Sequence, residues 1–386
     1  MKVLVIGGGI YVKGSDVNHH GTIIPAIIES LKNKLISEVC YVTTSNKSAK
    51  NCVLKSNQIA KEHKIFKKNI FFSFSSNSKL SYKKALKIYN PDAVIVATPD
   101  HTHFQICKDV IRFNKHLLVV KPLSNSSREV QQLVNQIKNK KKIYQVEFHK
   151  RLDEANTTLK KILVENKIGN LKYCVIEYSQ KKIIPEFYFK KWASKSNSFQ
   201  YLGVHYADLI YFLTGYKPSR VWAWAQKGYL KRKKINTWDS VQACIEWKLK
   251  EKKFTSHIIT NWIDSNNSSA TSDQKINFVG EKGRYSSDQK NRGIEFSSDD
   301  SLFTHINPYF TNQAHNGNNF FYDGYGIRNI MNFFININQT SQEQTSHKKI
   351  KELNSTFYDS AVSTKIIEAV SKSLKENSRQ VVIKND

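Results

Sequence analysis

A lysine at the end of a short apolar run is the residue best placed to do chemistry in this chain. Lys121 follows the run 117–120 and precedes a proline. A second apolar run, 93–97, ends in Thr98-Pro99-Asp100-His101-Thr102-His103, and a third, 2–6, leads into three glycines. Because ligands bind outside the carboxyl ends of strands in open α/β sheets, we expect these residues to meet at one edge. There Lys121 would present an ammonium to a substrate; the alternative is a surface lysine before a turn proline.

The glycines after the first run predict a loop that lets the main chain approach a pyrophosphate. Gly7 and Gly9 fill the first two positions of a Gly-x-Gly-x-x-Gly fingerprint, but the third position is Val12. Gly14 follows, and the first helix is predicted to start only near Thr22, so the loop is longer than usual. Gly7, Gly9 and Gly14 are therefore our cofactor-binding candidates, and a purely structural turn is the alternative.

The second predicted strand bears on which dinucleotide is bound. It ends in Thr43-Thr44-Ser45-Asn46-Lys47, without the carboxylate that would hold the ribose 2′-hydroxyl of NAD. The small hydroxyls of Thr44 and Ser45, together with Lys47, would accommodate a 2′-phosphate. The sequence thus favours NADP(H) over NAD(H).

The elements that must position these residues alternate between strand and helix over about the first 122 residues. Strands are predicted at 2–6, 38–44, 69–73, 92–97 and 116–120, with helices at 77–89 and 103–114. This alternation predicts a doubly wound parallel sheet. A further helix, 124–139, is predicted to start at Ser124 as its N-cap and to lead to a strand at 143–147.

After about residue 150 the pattern changes. Helices are predicted at 153–166, 203–214, 327–338 and 357–376, and strands at 173–178, 219–226, 240–249, 254–263 and 275–279. The alternating apolar positions indicate a mostly antiparallel sheet with one face available for pairing. We therefore divide the chain into a dinucleotide-binding domain, 1–122, and an α+β substrate and oligomerisation domain, 123–386.

The charge balance raises the question of a nucleic-acid partner. The chain has 60 basic and 32 acidic side chains and a net charge of +28, which suits a phosphate backbone. However, only nine of the basic residues are arginines, which recognition surfaces favour, and the lysines are spread along the whole chain. Abundant Asn, Ile and Ser fit the compositional drift of an AT-rich genome, so no specific nucleic-acid partner is predicted.

The cysteines and apolar runs bear on compartment, metal and membrane. Five scattered cysteines form no metal-ligand spacing, which predicts a reducing cytoplasm, no disulfide framework and no metal site. No apolar stretch approaches the roughly 20 residues that span a bilayer, so no membrane association is predicted.

Four motifs occur in an order and at separations that point to one family. They are Gly7-x-Gly9, the series 97–103, Val120-Lys121-Pro122 and Leu202-Gly203-Val204-His205-Tyr206-Ala207-Asp208. Together they resemble the Gfo/Idh/MocA family, the glucose-fructose oxidoreductase and inositol dehydrogenase group. The resemblance implies an N-terminal Rossmann domain, a C-terminal α+β domain that mediates a homo-oligomer (dimer or tetramer), and hydride transfer. The substrate would be a sugar, nucleotide-sugar or cyclitol, including anionic forms. Its secondary hydroxyl would give up the hydride, or the corresponding ketone would accept it.

The resemblance also implies roles for individual residues of the first domain. Thr98, Pro99 and His103 would line the nicotinamide side of the dinucleotide. Lys121 would contact both the nicotinamide ribose and the substrate hydroxyl.

In the second domain, the resemblance implies that His205 is the general base that removes the hydroxyl proton as hydride leaves; a satisfied core histidine is the alternative. His149, Arg151 and Asp208 are substrate-binding candidates, although Asp208 would equally anchor its helix. Tyr201 is a candidate because positions four apart share a face of an α-helix.

Two departures from the family pattern bear on this mechanism. Val120 stands where the family has glutamate before the lysine, and Tyr201 stands where it commonly has aspartate. These changes also suit an alternative function, a non-catalytic dinucleotide-binding sensor or partner protein with the same fold.

Overall fold

The chain folds into two units, each built from several segments. The computed structural model describes residues 1–15, 20–65, 69–75, 77–317, 319–341 and 355–384. The first unit comprises Met1–Ser124, Arg128–Leu152 and Tyr309–Tyr358, and the second comprises Asn125–Ser127, Asp153–Pro308 and Asp359–Asp386. The first unit is thus larger than the segment 1–122 predicted for it, because later segments return to it.

Six short apolar runs form a parallel sheet in the first unit. Its strands are β1 (Lys2–Ile6), β2 (Glu38–Val42), β3 (Phe71–Ser73), β4 (Ala93–Val96), β5 (His116–Val120) and β6 (Tyr144–Glu147). The strands lie in the order β3-β2-β1-β4-β5-β6, and every neighbouring pair is parallel. This is the doubly wound order whose direction reverses between β1 and β4, the point where ligands bind. The prediction of a doubly wound parallel sheet is confirmed.

Helices cover this sheet. They are α1 (Ile10–Lys13), α2 (Ile23–Lys32), α3 (Asn46–Glu62), α4 (Ser81–Ile88), α5 (His103–Arg112) and α6 (Ser127–Ile137). A helix does begin directly after Thr22, but the prediction that it is the first helix is wrong, because the single turn α1 precedes it. The predicted N-cap at Ser124 is wrong, since α6 begins three residues later and the Ser124 hydroxyl donates to the Glu129 carboxylate instead. Residues 124–127 are all of capping type, so residue type alone could not choose among them.

The second unit is built on a seven-stranded sheet. The elements up to residue 305 are α7 (Glu154–Val164), β7 (Leu171–Lys181), α8 (Val204–Thr214), β8 (Lys217–Gln226), α9 (Tyr229–Arg232), β9 (Ser240–Leu249), β10 (Lys252–Asp264), β11 (Ser272–Gly280), β12 (Arg284–Asp288), β13 (Glu295–Ser298) and β14 (Ser301–His305). Gly215 ends α8 in the left-handed conformation, as a C-terminal glycine should.

The chain then returns to the first unit. A hairpin, β15 (Asn312–Asn316) and β16 (Asn319–Asp323), leads into α10 (Tyr325–Ser341). Ile327, Ile330 and Phe333 of α10 join one apolar core with Ile23 and Ile27 of α2. Helix α10 therefore completes the core of the first unit.

The last elements are α11 (Phe357–Lys375) and β17 (Val381–Val382). The strand order of the second sheet is β12-β11-β7-β10-β9-β8-β17, and only the β7–β10 pair is parallel. The prediction of a second domain on a mostly antiparallel sheet is confirmed.

Candidate functional site

Gly7 lies where the direction of the first sheet reverses. Its N–H donates to the Val42 carbonyl at 2.9 Å, and its φ is +122°. A β-carbon built on Gly7 would lie 2.0 Å from the Ala97 carbonyl oxygen. Only glycine fits this combination of positive φ and close main-chain approach, so Gly7 lets the ends of β1 and β4 come together.

The rest of the glycine loop is closed by a single helical turn. Gly14 ends α1 and donates its N–H to Ile10 at 2.9 Å, and a β-carbon on Gly21 would lie 2.6 Å from the Gly14 nitrogen. Val12, at the third fingerprint position, is fully buried. By contrast, a β-carbon on Gly9 would meet no atom of the described residues within 4 Å. The main chain at Gly9 therefore borders open space, which fits a pyrophosphate lying close to it.

The end of β2 presents hydroxyl groups to solvent. Thr44 and Ser45 are exposed, and α3 has no acidic residue in its first turn. Thr43 Oγ1 donates to the Ser45 carbonyl at 2.6 Å, which fixes the turn between strand and helix. Neutral hydroxyls thus occupy the place where a ribose-binding carboxylate would lie.

His103 ties together two loops of the sheet edge. Its ring is fully buried, with Nδ1 2.6 Å from the Pro122 carbonyl and Nε2 2.8 Å from the Thr98 carbonyl. Thr98 is held further by Thr102, whose hydroxyl donates to it at 2.8 Å. Burial lowers the pKa of His103, and its bond to Pro122 is the largest opposing effect. His103 thus braces the loops that carry Thr98, Pro99 and Lys121.

Lys121 is a nearly buried amine with two buried carboxylates near it. It is 8% exposed, while Asp100 is 4% exposed and Glu147 1% exposed. Burial lowers the pKa of Lys121 from 10.5 to about 7, and the negative charges of Glu147 and then Asp100 raise it against that effect. Val120 pairs with Glu147 in the β5–β6 register. A buried carboxylate of the neighbouring strand thus pairs with Val120, the position at which the family pattern has glutamate.

His149 follows β6 and contacts this same carboxylate. Its Nδ1 lies 2.6 Å from Glu147 Oε1 and 3.4 Å from the Tyr11 hydroxyl. The ring stacks on Tyr325 with centroids 5.5 Å apart and lies 5.1 Å from the ring of Phe310. The structure therefore brings the predicted residues Lys121 and His149 together around Glu147.

Sequence reasoning missed Glu147 and Tyr11. The sequence did contain an indication for Glu147, because a carboxylate ends a predicted strand whose neighbouring strands are apolar. Tyr11 gave no signal, because the helical turn that carries it was not predicted.

Arg151 is buried in the turn His149–Leu152, next to the equally buried Lys150. Its guanidinium lies 5.9 Å from the centre of the Phe148 ring. Asp153, the residue after this turn, accepts a hydrogen bond from Arg292 at 2.8 Å.

The second unit carries His205, Asp208 and Tyr201. His205 and Asp208 are buried on α8. Tyr201 lies in a π-helical turn, Phe199–Gly203, that precedes α8. The prediction that Tyr201 and His205 share a face assumed α-helical spacing from 201 to 205, whereas Tyr201 lies in a π-helical turn.

Aromatic rings surround Tyr201 within the second unit. Phe189, Trp192 and Trp262 lie with centroids 4.9, 5.8 and 5.9 Å from its ring. Gly203 is required in this turn, since a β-carbon there would lie 2.7 Å from the Phe199 ring.

The described part of the chain also bears on metal binding and on membrane-spanning helices. No group of three or more His, Cys, Asp or Glu side chains there is arranged to hold a metal ion. Within the same segments, no helix combines the length and apolar character needed to cross a bilayer.

Two family models match the chain. One, an oxidoreductase family with an NAD-binding Rossmann fold (GFO/IDH/MocA), covers residues 1–148, and the other, a GFO/IDH/MocA C-terminal domain, covers residues 156–286. Inositol 2-dehydrogenase of Rhizobium meliloti is 25% identical over 134 residues, which are 35% of this chain and 40% of that protein. The matches to curated relatives span only 22% to 40% of the relatives' own lengths.

Solved structures match over the whole chain. Scyllo-inositol dehydrogenase from Lactobacillus casei, with bound NAD(H) and scyllo-inositol, has a TM-score of 0.68 at 16% identity over 99% of both chains. A myo-inositol dehydrogenase from Corynebacterium glutamicum has a TM-score of 0.66 at 14% identity, covering 100% of this chain and 99% of its own. At such low identities these matches establish the fold alone.

Proposed function

Because the chain belongs to the GFO/IDH/MocA oxidoreductase family, as its motifs indicated, we propose that it transfers a hydride between a nicotinamide dinucleotide and a cyclitol or sugar. The reacting group would be a secondary hydroxyl or the corresponding ketone. The observation that carries the proposal is the Lys121 amine, buried beside Glu147 and Asp100 at the ligand-binding edge of the sheet. A buried amine with a strongly shifted pKa in such a place is characteristic of functional sites.

The dinucleotide would be held by the glycine loop. The main chain at Gly7 and Gly9 would receive the pyrophosphate, and Thr44 and Ser45 would face the adenosine ribose. When bound, the nicotinamide supplies the hydride acceptor or donor. The exposed hydroxyls and the missing carboxylate at the end of β2 support NADP(H), whereas the Lactobacillus casei neighbour binds NAD(H).

The chain's own side chains would manage the substrate oxygen and its proton. Lys121 would donate a hydrogen bond to that oxygen, and His205 would accept the hydroxyl proton, because an imidazole titrates near working pH. His149 and Arg151 would contact other substrate groups. The positive charges of Lys121 and Arg151 would also suit an anionic substrate, such as a sugar nucleotide or sugar acid.

A thermal-shift titration with NAD⁺, NADH, NADP⁺ and NADPH tests the dinucleotide first. A ligand at about 100 times its dissociation constant adds roughly 2.7 kcal/mol to folded-state stability, so binding gives a clear shift. The preferred nucleotide is then offered with inositols, aldoses, sugar acids and nucleotide-sugars while its reduction is followed by absorbance. We expect turnover with at least one polyol or sugar acid.

The alternative function is separated by the variant His205→Ala. If the protein is an enzyme, this variant should keep the nucleotide-induced shift and lose most turnover. Nucleotide binding without turnover on any substrate in the panel would instead favour the sensor. Absence of a shift with all four nucleotides would contradict both.

A homo-oligomer is also proposed, through the open face of the second sheet. Tyr173, Trp224 and Ile263 lie on that face and are 43%, 47% and 37% exposed. Exposed aromatic and aliphatic side chains on one sheet face mark an interaction surface. Sedimentation of the wild type and of Trp224→Glu tests this, since an interface at this face predicts that the variant dissociates.

A further inference from the structure

Glu147 is a buried carboxylate that the proposed mechanism does not use. It is the last residue of β6 and is 1% exposed. A carboxylate removed from water is strongly unfavourable unless hydrogen bonds and a nearby cation compensate for the lost hydration. The groups around Glu147 therefore indicate what this side chain does.

The first group is His149. Glu147 Oε1 lies 2.6 Å from His149 Nδ1, and an ionised carboxylate only accepts hydrogen bonds, so Nδ1 carries the proton. The ring is further oriented by stacking on Tyr325 of α10 and by the Tyr11 hydroxyl, 3.4 Å from the same nitrogen. Glu147 thus selects one tautomer of an imidazole whose plane is already fixed.

The second group is Lys121. The register pairs Val120 with Glu147, so the residue after β5 lies beside the end of β6. Among the nearby charges, the Glu147 carboxylate has the largest effect on the pKa of the Lys121 amine, and it favours the protonated form. The Asp100 carboxylate has the second largest effect, in the same direction. One carboxylate thus acts on two side chains of the candidate site.

We propose that Glu147 is a positioning residue that holds His149 in the Nδ1-protonated tautomer and favours the protonated form of the Lys121 amine. This deepens the proposed function and rests on it for the catalytic consequence, since Lys121 orients the substrate oxygen only as a donor. Its structural part concerns protonation states alone and is testable without turnover.

The groups that face these side chains define the readout. Glu147 and Asp100 face the Lys121 amine, whereas Glu147, Tyr11 and Tyr325 face the His149 ring. On its own turn, His149 is followed by Lys150 and Arg151. An opposite charge at close range shifts a pKa by about 1 to 3 units. Replacing the Glu147 carboxylate by an amide should therefore lower the midpoint of Lys121 titration by about one unit or more.

The experiment is NMR titration of isotope-labelled lysine in the full chain, comparing wild type with Glu147→Gln. The Lys121 signal is assigned by its loss in Lys121→Met. We expect its midpoint to fall in Glu147→Gln and to stay in place in Glu29→Gln. Glu29 is a matched control, because it is also buried and lies 3.8 Å from a histidine nitrogen, that of His63. An unchanged midpoint in Glu147→Gln would overturn the proposal.

A second measurement does not depend on Glu147→Gln. Nitrogen NMR of the wild type reports the tautomer of His149, assigned by its loss in His149→Phe. A proton on Nδ1 is expected, and a proton on Nε2 only would also overturn the proposal, even if Glu147→Gln failed to fold.

Kinetics then separate this proposal from the proposed function. If the wild type turns over, Glu147→Gln should lose severalfold more activity at pH 9 than at pH 6, because the protonated fraction of its Lys121 amine declines from a lower pH than in the wild type. Glu147→Asp should restore part of the loss. If the wild type shows no turnover, the proposed function fails, while the NMR results still decide the role of Glu147.

Discussion

At the scale of single residues, the edge of the first sheet carries three buried charged side chains, Lys121, Asp100 and Glu147. Lys121 was predictable, because a lysine and a proline follow a buried-type strand. Glu147 was not, because β-sheet pairing rather than chain distance places it beside Lys121. Likewise, the sequence indicated His103 at the site, but the position of its two ring nitrogens beside main-chain carbonyls depends on how β4 and β5 end.

The buried amine predicts a specific pH dependence of stability. Burial lowers the pKa of Lys121 from 10.5 to about 7 in the folded state, so between those values the unfolded chain binds more protons than the folded one. Wild-type stability should therefore rise with pH across this window relative to Lys121→Met, which cannot titrate. Any stability advantage of the variant should shrink by up to about 5 kcal/mol from pH 7 to 10.5.

Urea unfolding of both proteins at a series of pH values checks this prediction. Lys161→Met is the control, because the Lys161 side chain is 72% exposed, and its difference from wild type should stay flat. A flat difference for Lys121→Met as well would show that its amine is solvated.

At the scale of elements, local geometry departed from sequence spacing in two places. The fingerprint lacks its third glycine, and the structure replaces it with the one-turn helix α1, closed by Gly14 and Gly21. Before α8, a π-helical turn rather than an α-helical one carries Tyr201. Both are insertions into a regular pattern, and periodicity along the sequence does not reveal them.

The glycine loop predicts opposite results for two similar substitutions. Gly7→Ala places a methyl group 2.0 Å from the Ala97 carbonyl at a φ of +122°, so we expect a loss of about 3 kcal/mol or more of folding stability. The methyl group of Gly9→Ala meets none of the residues that the structure describes within 4 Å, so this variant should keep wild-type stability. If the pyrophosphate lies against Gly9, this variant should still weaken dinucleotide binding at least tenfold.

Urea unfolding and the nucleotide titration together read out both variants. Equal stability of Gly7→Ala and wild type would contradict the close approach of β1 and β4. Unchanged nucleotide affinity in Gly9→Ala would place the pyrophosphate elsewhere.

At the scale of the whole molecule, periodicity predicted both sheets but not which segments share a unit. The alternation over the first 122 residues and the alternating strands beyond 170 led to the parallel and the antiparallel sheet. The return of Tyr309–Tyr358 to the first unit was not foreseeable. An amphipathic helix shows in the sequence that it has a buried face, and it does not show which surface covers that face.

This return predicts that the first unit cannot fold well from its N-terminal segments alone. Without α10, the apolar face of α2 that includes Ile23 and Ile27 would be open to water. A chain ending at Leu152 should therefore unfold without a cooperative transition and aggregate, although it contains all six strands. In the full chain, Phe333→Ala should cost about 3 to 5 kcal/mol, because Phe333 is fully buried in that core.

Hydrogen exchange of the β1 amides and urea unfolding measure both effects. Phe187→Ala is the control, since Phe187 is 70% exposed and its truncation removes no core contacts. Phe333→Ala opens a cavity in the core that α10 fills, whereas Phe187→Ala opens none. The β1 amides should therefore lose protection from hydrogen exchange in Phe333→Ala and keep it in Phe187→Ala. A cooperative transition of the chain ending at Leu152 at the wild-type midpoint would show instead that β1 to β6 and their helices form a sufficient core without α10.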